Sequence, residues 1–443
     1  MTTTAFEQPH LLLVAGVGGL SAVDALGAAR RATPRVSVVF VTAWGPADAV
    51  RTAWEAASSG TAGAEFLVAD DLDGVVSAAL ALHQRFPLHG VVTYSELLLR
   101  PQAEITARLG LPGNRPEAVV TAQSKALQRA TFAEHGVPSP RSAAIRTAAD
   151  LAPAMAAVGL PAVFKPSLGA GSQGVHRVSS QEELAAAFEA AQDADSPFIQ
   201  DDGAFLLEEP MPVEGSAPSP YADYVSVESL IFHGEVEHLA VSDRLRLQHG
   251  YVEEGVVLPS QLDEATHRSL YDCAEQAISA IGLTHGAVHT EIALTPDGPK
   301  VIEVNARAGG PLPTLLNVVA GYDFAAEIAR VALGLPAGPY PEPIAAICFR
   351  LVPIPAGAWR VTAQRTAAEA HAEFPQLVRL GLRFRPGQEA RRDTTQHLAA
   401  FTVRAETRDE ARAVAAAVEE YLDFRLEPIA EPASAGGTQG GHR

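Results

Sequence analysis

The sequence predicts a multidomain α/β and α+β protein. It should have an N-terminal parallel sheet flanked by helices, a central mixed segment, and a small C-terminal α+β unit. Three observations carry that expectation. Apolar runs alternate with helical patterns over residues 10–93, the signature of βαβ units. A glycine-rich loop lies between two short strand-like runs at 161–178. Two apolar runs flank the turn Thr295-Pro296-Asp297-Gly298-Pro299, which reads as a β-hairpin.

Length and composition agree. The 443 residues suffice for two to four domains, and 47% are apolar, enough for large cores. Lys and Arg number 33 against 52 Asp and Glu, a net charge of −19. That excess argues against a nucleic-acid or anionic-membrane partner, while leaving room for an anionic small substrate in a local basic pocket. Cys273 and Cys348 have neither metal nor redox spacing, which suits a reducing compartment. No basic stretch precedes the first apolar run, and no run reaches membrane-spanning length, so a cytoplasmic location is expected.

In chain order, residues 10–19 form an apolar strand ending in glycines, 21–31 a helix, and 36–42 a second buried strand. Helices are expected over 47–57 and 74–86, and strands over 65–69 and 90–93. Gly16-Val17-Gly18-Gly19 lacks the full GxGxxG spacing, and no acidic residue clearly ends the second strand. It reads as a tight strand-to-helix turn rather than a dinucleotide site. Tyr94-Ser95-Glu96 follows a strand end and is placed to border a cleft. Residues 118–135 read as one helix carrying Lys125, stopped at Gly136-Val137-Pro138.

Residues 161–166 form a strand ending in Lys165-Pro166. It runs into a loop containing Gly169, Gly171, Ser172 and Gly174, and a further strand follows at 175–178. Such a loop offers many N–H groups to phosphate oxygens, and Lys165 supplies a point charge. It is not a Walker loop, because no GK[ST] ends it and no helix follows directly. A helix is expected at 180–191, a strand and bend at 204–211, a surface loop at 212–220, paired strands at 224–232 and 236–241, and a long helix at 263–281. Another helix is expected at 318–333. Beyond residue 345, strands at 347–352 and 398–404 and a helix at 409–421 make a small α+β unit, and 431–443 reads as a disordered tail.

The hairpin carries the chemistry. Side chains alternate along a strand, so Glu303, Asn305 and Arg307 project from one face, with Glu291 on the facing strand. Two carboxylates, an amide oxygen and a guanidinium suit a hard cation and a phosphate or carboxylate. Gly309-Gly310 follows at once, where backbone can approach a ligand.

Lys125, Lys165 before its glycine loop, Glu208-Glu209, and the set Glu291, Glu303, Asn305 and Arg307 occur in the order and spacing of the ATP-grasp superfamily. Over roughly residues 115–335 the chain resembles that superfamily. Within it, the chain is most similar to L-amino-acid ligases of the bacilysin-synthetase and carnosine-synthase type. The stretch from Tyr221 to Glu228, then Ser242-Asp243-Arg244, Glu253-Glu254 and His289-Thr290-Glu291 carry that narrower likeness. The resemblance implies a pre-ATP-grasp domain at 1–116, an ATP-grasp domain at 117–344 and a C-terminal domain at 345–430. It implies that Lys125 and Lys165 contact ATP phosphates under a lid of Gly169, Gly171, Ser172 and Gly174. Glu208, Glu209, Pro210 and Met211 would line the adenine and Glu214 would hold the ribose. Glu291, Glu303 and Asn305 would hold two Mg²⁺ ions, with Mn²⁺ as a substitute. Arg307 would steady an acyl phosphate beside Gly309 and Gly310, and Glu253 would face the incoming amine. Val256 and Pro311-Leu312 depart from the bacilysin-type enzyme, which has a polar ring and a bulky aromatic there.

The implied reaction joins a small-molecule carboxylate to an amine through an acyl phosphate, releasing ADP and phosphate. A homodimer is compatible with it. The rival expectations are another ATP-grasp reaction, of biotin-carboxylase or nucleotide-pathway type, and a non-catalytic nucleotide sensor. Neither His285 nor His289 belongs to a convincing nucleophile triad, and a histidine beside a strand is more often structural.

Overall fold

The computed structural model describes residues 8–58, 61–169, 173–192, 204–211, 217, 220–246, 252–392 and 396–429. The chain divides into two compact units, one of residues 1–244 with 258–344 and one of 245–257 with 345–443.

The first unit opens with β1 (Leu11–Ala15), α1 (Ala22–Ala32), β2 (Val36–Val41), α2 (Asp48–Ser58), β3 (Phe66–Ala69), α3 (Leu72–Arg85) and β4 (Gly90–Val92). The strands pair in parallel in the order β3-β2-β1-β4. β1 and β2 are buried throughout, as parallel strands covered on both faces must be. Ser21 caps α1 by accepting from Asp24 N. The turn between β1 and α1 needs glycine: Gly19 has φ +68°, and a Cβ there would lie 1.8 Å from the Tyr94 carbonyl oxygen. This close approach seats the glycine turn against Tyr94 and Ser95, whose hydroxyl donates to the Val17 carbonyl. Tyr94 is held in turn by its hydroxyl donating to Ala325 O at 2.7 Å.

Three helices follow, α4 (Leu99–Leu109), α5 (Pro116–Gln123) and α6 (Lys125–His135). The single helix expected over 118–135 is therefore two. Ser124 leaves the helical region (φ −104°, ψ 111°) and its hydroxyl accepts from Leu127 N as the cap of α6. The same hydroxyl lies 3.0 Å from the Ser167 hydroxyl, and Lys125 N donates to Ser167 O at 2.9 Å. A serine that finds both a local and a distant partner competes successfully with helix continuation. Lys125 thus begins a helix instead of riding on one.

The strands β5 (Ser142–Ile145), β6 (Ala162–Pro166), β7 (His176–Val178) and β8 (Phe205–Glu208) form an antiparallel sheet in the order β5-β8-β6-β7. Helices α7 (Leu151–Val158) and α8 (Gln181–Gln192) accompany it. Its core includes Phe164, Phe188, Leu184 and Phe205, with the rings of Phe164 and Phe205 stacked at 5.2 Å.

Next come β9 (Tyr221–Phe232), β10 (Glu235–Leu245), the short β11 (Gly255–Leu258), α9 (Glu264–Ile281), β12 (Gly286–Thr295) and β13 (Gly298–Asn305). Within the first unit the order is β13-β12-β9-β10. Helix α9, capped by Asp263, buries Leu270, Cys273, Ala277 and Ile278 in a core shared with Val227, Val288, Val301 and Val304. The helix expected at 318–333 is instead α10 (Leu312–Ala320) and α11 (Phe324–Ala332). Gly321 adopts φ +71° to end α10, and Asp323 caps α11 by accepting from Ala326 N.

The second unit contains β14 (Ala346–Pro353), β15 (Ala358–Ala363), α12 (Ala367–Glu373), β16 (Leu377–Leu382), β17 (Glu389–Arg391), β18 (His397–Ala405), α13 (Arg408–Tyr421) and β19 (Arg425–Pro428). Its strands run β11-β14-β18-β16 and β17-β15-β19. Arg350 on β14 binds Glu254 and Glu419, each at 2.6 Å. The expected tail at 431–443 lies outside the described residues. Among the described residues no helix is long and apolar enough to cross a membrane.

Candidate active site

The hairpin β12–β13 has the register that matters for chemistry. Glu291 stands directly opposite Glu303, and His289 opposite Asn305. An irregularity after Glu291 shifts the register, so that Ile292 faces Val301. The paired glutamates sit on the strand side remote from the core, since Ile292, Val301 and Val304 point into the apolar cluster beneath.

Each glutamate has its own cation. Lys125 Nζ lies 2.8 Å from Glu303 Oε1 and donates to the Gly169 carbonyl at 2.9 Å, joining helix α6, the glycine loop and β13. Arg244 NH2 donates to Glu291 Oε1 at 3.0 Å, and His289 Nε2 approaches the same oxygen at 3.4 Å. Burial works to raise the Glu291 pKa, but the His289 contact and the Arg244 charge overcome it and hold the group ionised well below the usual range. His289 Nδ1 contacts Glu228 Oε1, while the other Glu228 oxygen accepts from Gly309 N at 3.2 Å. Burial lowers the His289 pKa, yet the Glu228 carboxylate outweighs it and lifts the imidazole to about 9.

Behind this face lies a second, fully buried cluster. Glu208 receives Lys165 Nζ at 2.7 Å and Arg129 Nε at 2.8 Å. Arg129 also donates to the Ile302 carbonyl at 2.6 Å, and Gln128 brackets Val304 by bonding its carbonyl and its N–H. Helix α6 is thereby fastened to β13 and β8 at once. Burial opposes ionisation of Glu208, but the two cations draw its pKa below the ordinary value. Glu209 accepts from the Arg141 backbone and guanidinium, and Pro210 and Met211 follow beyond the end of β8, each half-buried. Gly169 (φ +149°) and Gly174 (φ +70°) flank the loop with backbone that favours glycine. Gly171, Ser172 and Glu214 lie outside the described residues.

Arg307 lies just past the end of β13. Its NH2 donates to Asn305 Oδ1 at 3.3 Å, so it does share the face of the hairpin's polar set. Its Nε lies 3.1 Å from Glu96 Oε2. Glu303, Asn305, Arg307 and Gly310 line a cavity of about 140 Å³ together with Gly18, Gly19 and Glu96 of the N-terminal sheet's loops. Gly309 packs against the His289 ring, where a Cβ would lie 2.5 Å from Nδ1, while a Cβ at Gly310 would meet open space. Glu253 belongs to the second unit, where its carbonyl oxygen lies 3.3 Å from His397 Nε2.

Glu228, Arg129 and Arg244 acquire their importance here. The alternation along 224–232 put Glu228 on the polar side of its strand, but only the pairing of β9 with β12, which sets His289 opposite Glu228, shows what it holds. The donors fit Mg²⁺. Glu291, Glu303 and Asn305 offer hard oxygens on one surface, and Mg²⁺ characteristically takes one or two carboxylates with water and substrate phosphates. Among the described residues no group of three or more His, Cys, Asp or Glu forms a self-sufficient metal site, so the remaining ligands would come from phosphate and water.

Carboxylates in register, lysines converging from a helix and a strand end, and a glycine loop between antiparallel strands define an ATP-grasp architecture. Residues 158–314 match the ATP-grasp domain. The fold extends over nearly the whole chain. The L-amino acid ligase of Bacillus licheniformis superimposes with a TM-score of 0.72, covering 96% of this chain and 100% of that one at 19% identity. Biotin carboxylase of Campylobacter jejuni gives 0.67, covering 96% and 93% at 18% identity. At such identities the likeness establishes the fold alone. In sequence, the chain is 31% identical to alanine–anticapsin ligase of Bacillus subtilis over 261 residues, 57% of this chain and 55% of that protein. It is 29% identical to human carnosine synthase over 284 residues, 60% of this chain and 33% of that protein. The chain thus spans about half the length of the first of these relatives and a third of the second.

Proposed function

We propose that this chain is an ATP-dependent carboxylate–amine ligase that activates an amino acid as an acyl phosphate and joins it to an amine. One observation carries the reading: Glu291 and Glu303 face each other in register, with Lys125 on one side and Arg307 at the strand end. A carboxylate is a poor electrophile, and transfer of the γ-phosphoryl group makes it a good one. The amine then attacks the carbonyl carbon and phosphate leaves. Positioning and charge neutralisation supply most of the catalysis for such transfers. The sequence relatives named alanine–anticapsin ligase and carnosine synthase support the same substrate class.

Lys125 and Lys165 are assigned to the phosphates, with Gly169, Gly171, Ser172 and Gly174 over them. Backbone groups of Glu208, Glu209, Pro210 and Met211 are assigned to the adenine, and Glu214 to the ribose. Glu291, Glu303 and Asn305 would hold Mg²⁺, which when bound neutralises phosphate charge. To admit it, Glu303 must release Lys125, and that lysine is then available to a phosphate oxygen. Arg307 is assigned to the acyl phosphate, because its planar fork can grip two oxygens where Lys offers a point charge. Gly309 and Gly310 present backbone beside it, and Glu253 is assigned to the amine. His289, held protonated by Glu228 at neutral pH, is poorly suited as a base and instead fixes the Glu291 carboxylate.

The test is product analysis with hydroxylamine as a surrogate amine. ADP, phosphate and an amino-acid hydroxamate are expected, with far less hydroxamate from Arg307→Lys at unchanged ATP affinity. AMP and pyrophosphate would mean adenylation and would overturn the mechanism. ADP release that depends on bicarbonate instead of an amino acid would favour a carboxylase.

A further inference from the structure

We propose that Glu228, buried on β9, is a positioning residue that ties the metal carboxylate Glu291 to the Gly309 turn, so that the metal seat and the turn beside the acyl phosphate are held as one piece. This rests on the ligase reading above. Glu228 has 0% of its side chain exposed and does not line the cavity, so whatever it does for the reaction it does through other residues. Stability alone is a weak reason for a carboxylate in such a place. Replacing a buried ion pair by apolar groups of similar volume is often neutral or stabilising. The reason lies in what its two oxygens hold.

The two oxygens serve different segments. Oε1 contacts His289 Nδ1, directly across from Glu228 in the β9–β12 register, and Oε2 accepts from Gly309 N at 3.2 Å. From His289 the tie continues to the metal side, where Nε2 lies 3.4 Å from Glu291 Oε1. Arg244 reaches the same oxygen at 3.0 Å. One such contact leaves a carboxylate free to pivot, and the imidazole restricts the pivot, as outer partners of metal ligands do. From Gly309 the tie runs the other way. Gly309 follows Arg307 by two residues, and its carbonyl accepts from Leu312 N at 2.9 Å, at the start of α10. The turn also leans on the imidazole: a Cβ on Gly309 would lie 2.5 Å from His289 Nδ1 and 2.8 Å from Cε1.

Glutamate suits this double duty. A carboxylate offers two acceptor oxygens and no donor, so it can take the imidazole N–H and the backbone N–H at once. Glutamine has one acceptor oxygen, and its NH2 would be set against an N–H on the other side. The consequence is coupling between segments distant in sequence. Any shift of the Gly309 turn moves Glu228 or the His289 ring, and through the ring it moves Glu291. A substitution at Gly309, which supplies no metal ligand, should therefore change metal affinity. A Glu228 that served folding alone would make no such link.

The experiment measures Mn²⁺ binding to the full chain in the presence of ADP, read from the EPR signal of the free ion. Glu228→Gln is expected to raise the Mn²⁺ Kd by about 10-fold or more, the usual effect of losing an outer partner of a metal ligand. Gly309→Ala is expected to raise it by about 10-fold as well, through the ring contact. In a His289→Gln background the Glu228→Gln effect should shrink to about twofold or less, because both substitutions act on one path. A full effect in that background overturns the path through His289. A merely structural Glu228 would lower the urea midpoint and leave the Kd of the folded enzyme alone. A Glu228→Gln Kd within about twofold of the wild type therefore overturns the proposal. Should that variant fail to fold, Gly309→Ala decides, and an unchanged Mn²⁺ affinity there overturns the proposal equally. In each of these cases a wild type that forms hydroxamate keeps the ligase reading. A wild type that binds no Mn²⁺ with ADP, or whose binding is indifferent to Glu291→Gln, loses the metal assignment, and this proposal falls with it.

Discussion

Glu208 and Glu303 each hold a lysine at nearly the same distance, 2.7 Å and 2.8 Å. The two pairs nevertheless do different work. Glu208 and Lys165 expose 5% and 8% of their side chains, and Arg129 closes the group at 3%. Glu303 and Lys125 expose 19% and 12%, and Glu303 lines the cavity. In this structure the buried group pairs its charges with one another: three side chains from α6, β6 and β8 meet almost out of reach of water, and Glu208 anchors Lys165 for the phosphate assigned to it. Under the proposed ligase reading the open pair is the exchangeable one: a metal would take the lysine's place at Glu303, and a phosphate the glutamate's place at Lys125. Ion-pair length says nothing of this; access does.

That contrast can be broken most forcefully at Glu208. Glu208→Ala strands two buried cations, and a loss of about 3–5 kcal/mol in urea unfolding is expected, the usual result of removing one partner of a buried pair. A loss below about 1 kcal/mol would place the cluster with exposed pairs and erase the distinction. At Glu303 the pattern should invert. Glu303→Gln should change stability by no more than about 1 kcal/mol. Its ATP turnover should fall on the order of 100-fold or more, as when one oriented group is lost from a preorganised site. Turnover like the wild type's at limiting Mg²⁺ would disprove the assigned role.

A smaller effect separates buried histidines by sign. Burial lowers the folded-state pKa of His238 to about 4, only partly offset by Asp272. The unfolded chain binds that proton more tightly, so its contribution is present above about pH 6.5 and is lost as pH falls toward 4. His289 lies the other way, raised to about 9 by Glu228 against burial. Its contribution is full below about pH 6.5 and disappears as pH rises through 9. Urea midpoints should therefore decline on both sides of neutrality. His238→Gln should flatten the acid limb and His289→Asn the alkaline limb; limbs unchanged in those variants would assign the declines to other groups.

The legibility of the chain was uneven, for identifiable reasons. The βαβ alternation at 10–93 and the hairpin at 289–305 were legible because period and turn chemistry are local. Ser124 was not read as a break, since its competing partner is Ser167, 43 residues away. The division at Gly321 was missed because apolar residues continue through it. In the second unit, short strands such as β17 and β19 carry too few residues for a period to show. At the site, Glu291, Glu303, Asn305 and Arg307 announced themselves by alternation on one hairpin. Arg129 carried no signal of its own in a helical run, because its partner Glu208 lies 79 residues away, and Glu96 read as the margin of a cleft.

By itself, the sequence determined the fold class, the hairpin with its polar face, and the two lysines ahead of a glycine loop. Those features depend on residue type and near-neighbour spacing, which a chain carries wherever it is. Only the tertiary structure decided which charge meets which: that Lys125 faces Glu303 and Lys165 faces Glu208, that Glu228 holds His289, and that Glu96 stands beside Arg307. The reason is physical. An ion pair depends on separation in space and on exclusion of water, and both are set by how distant segments pack.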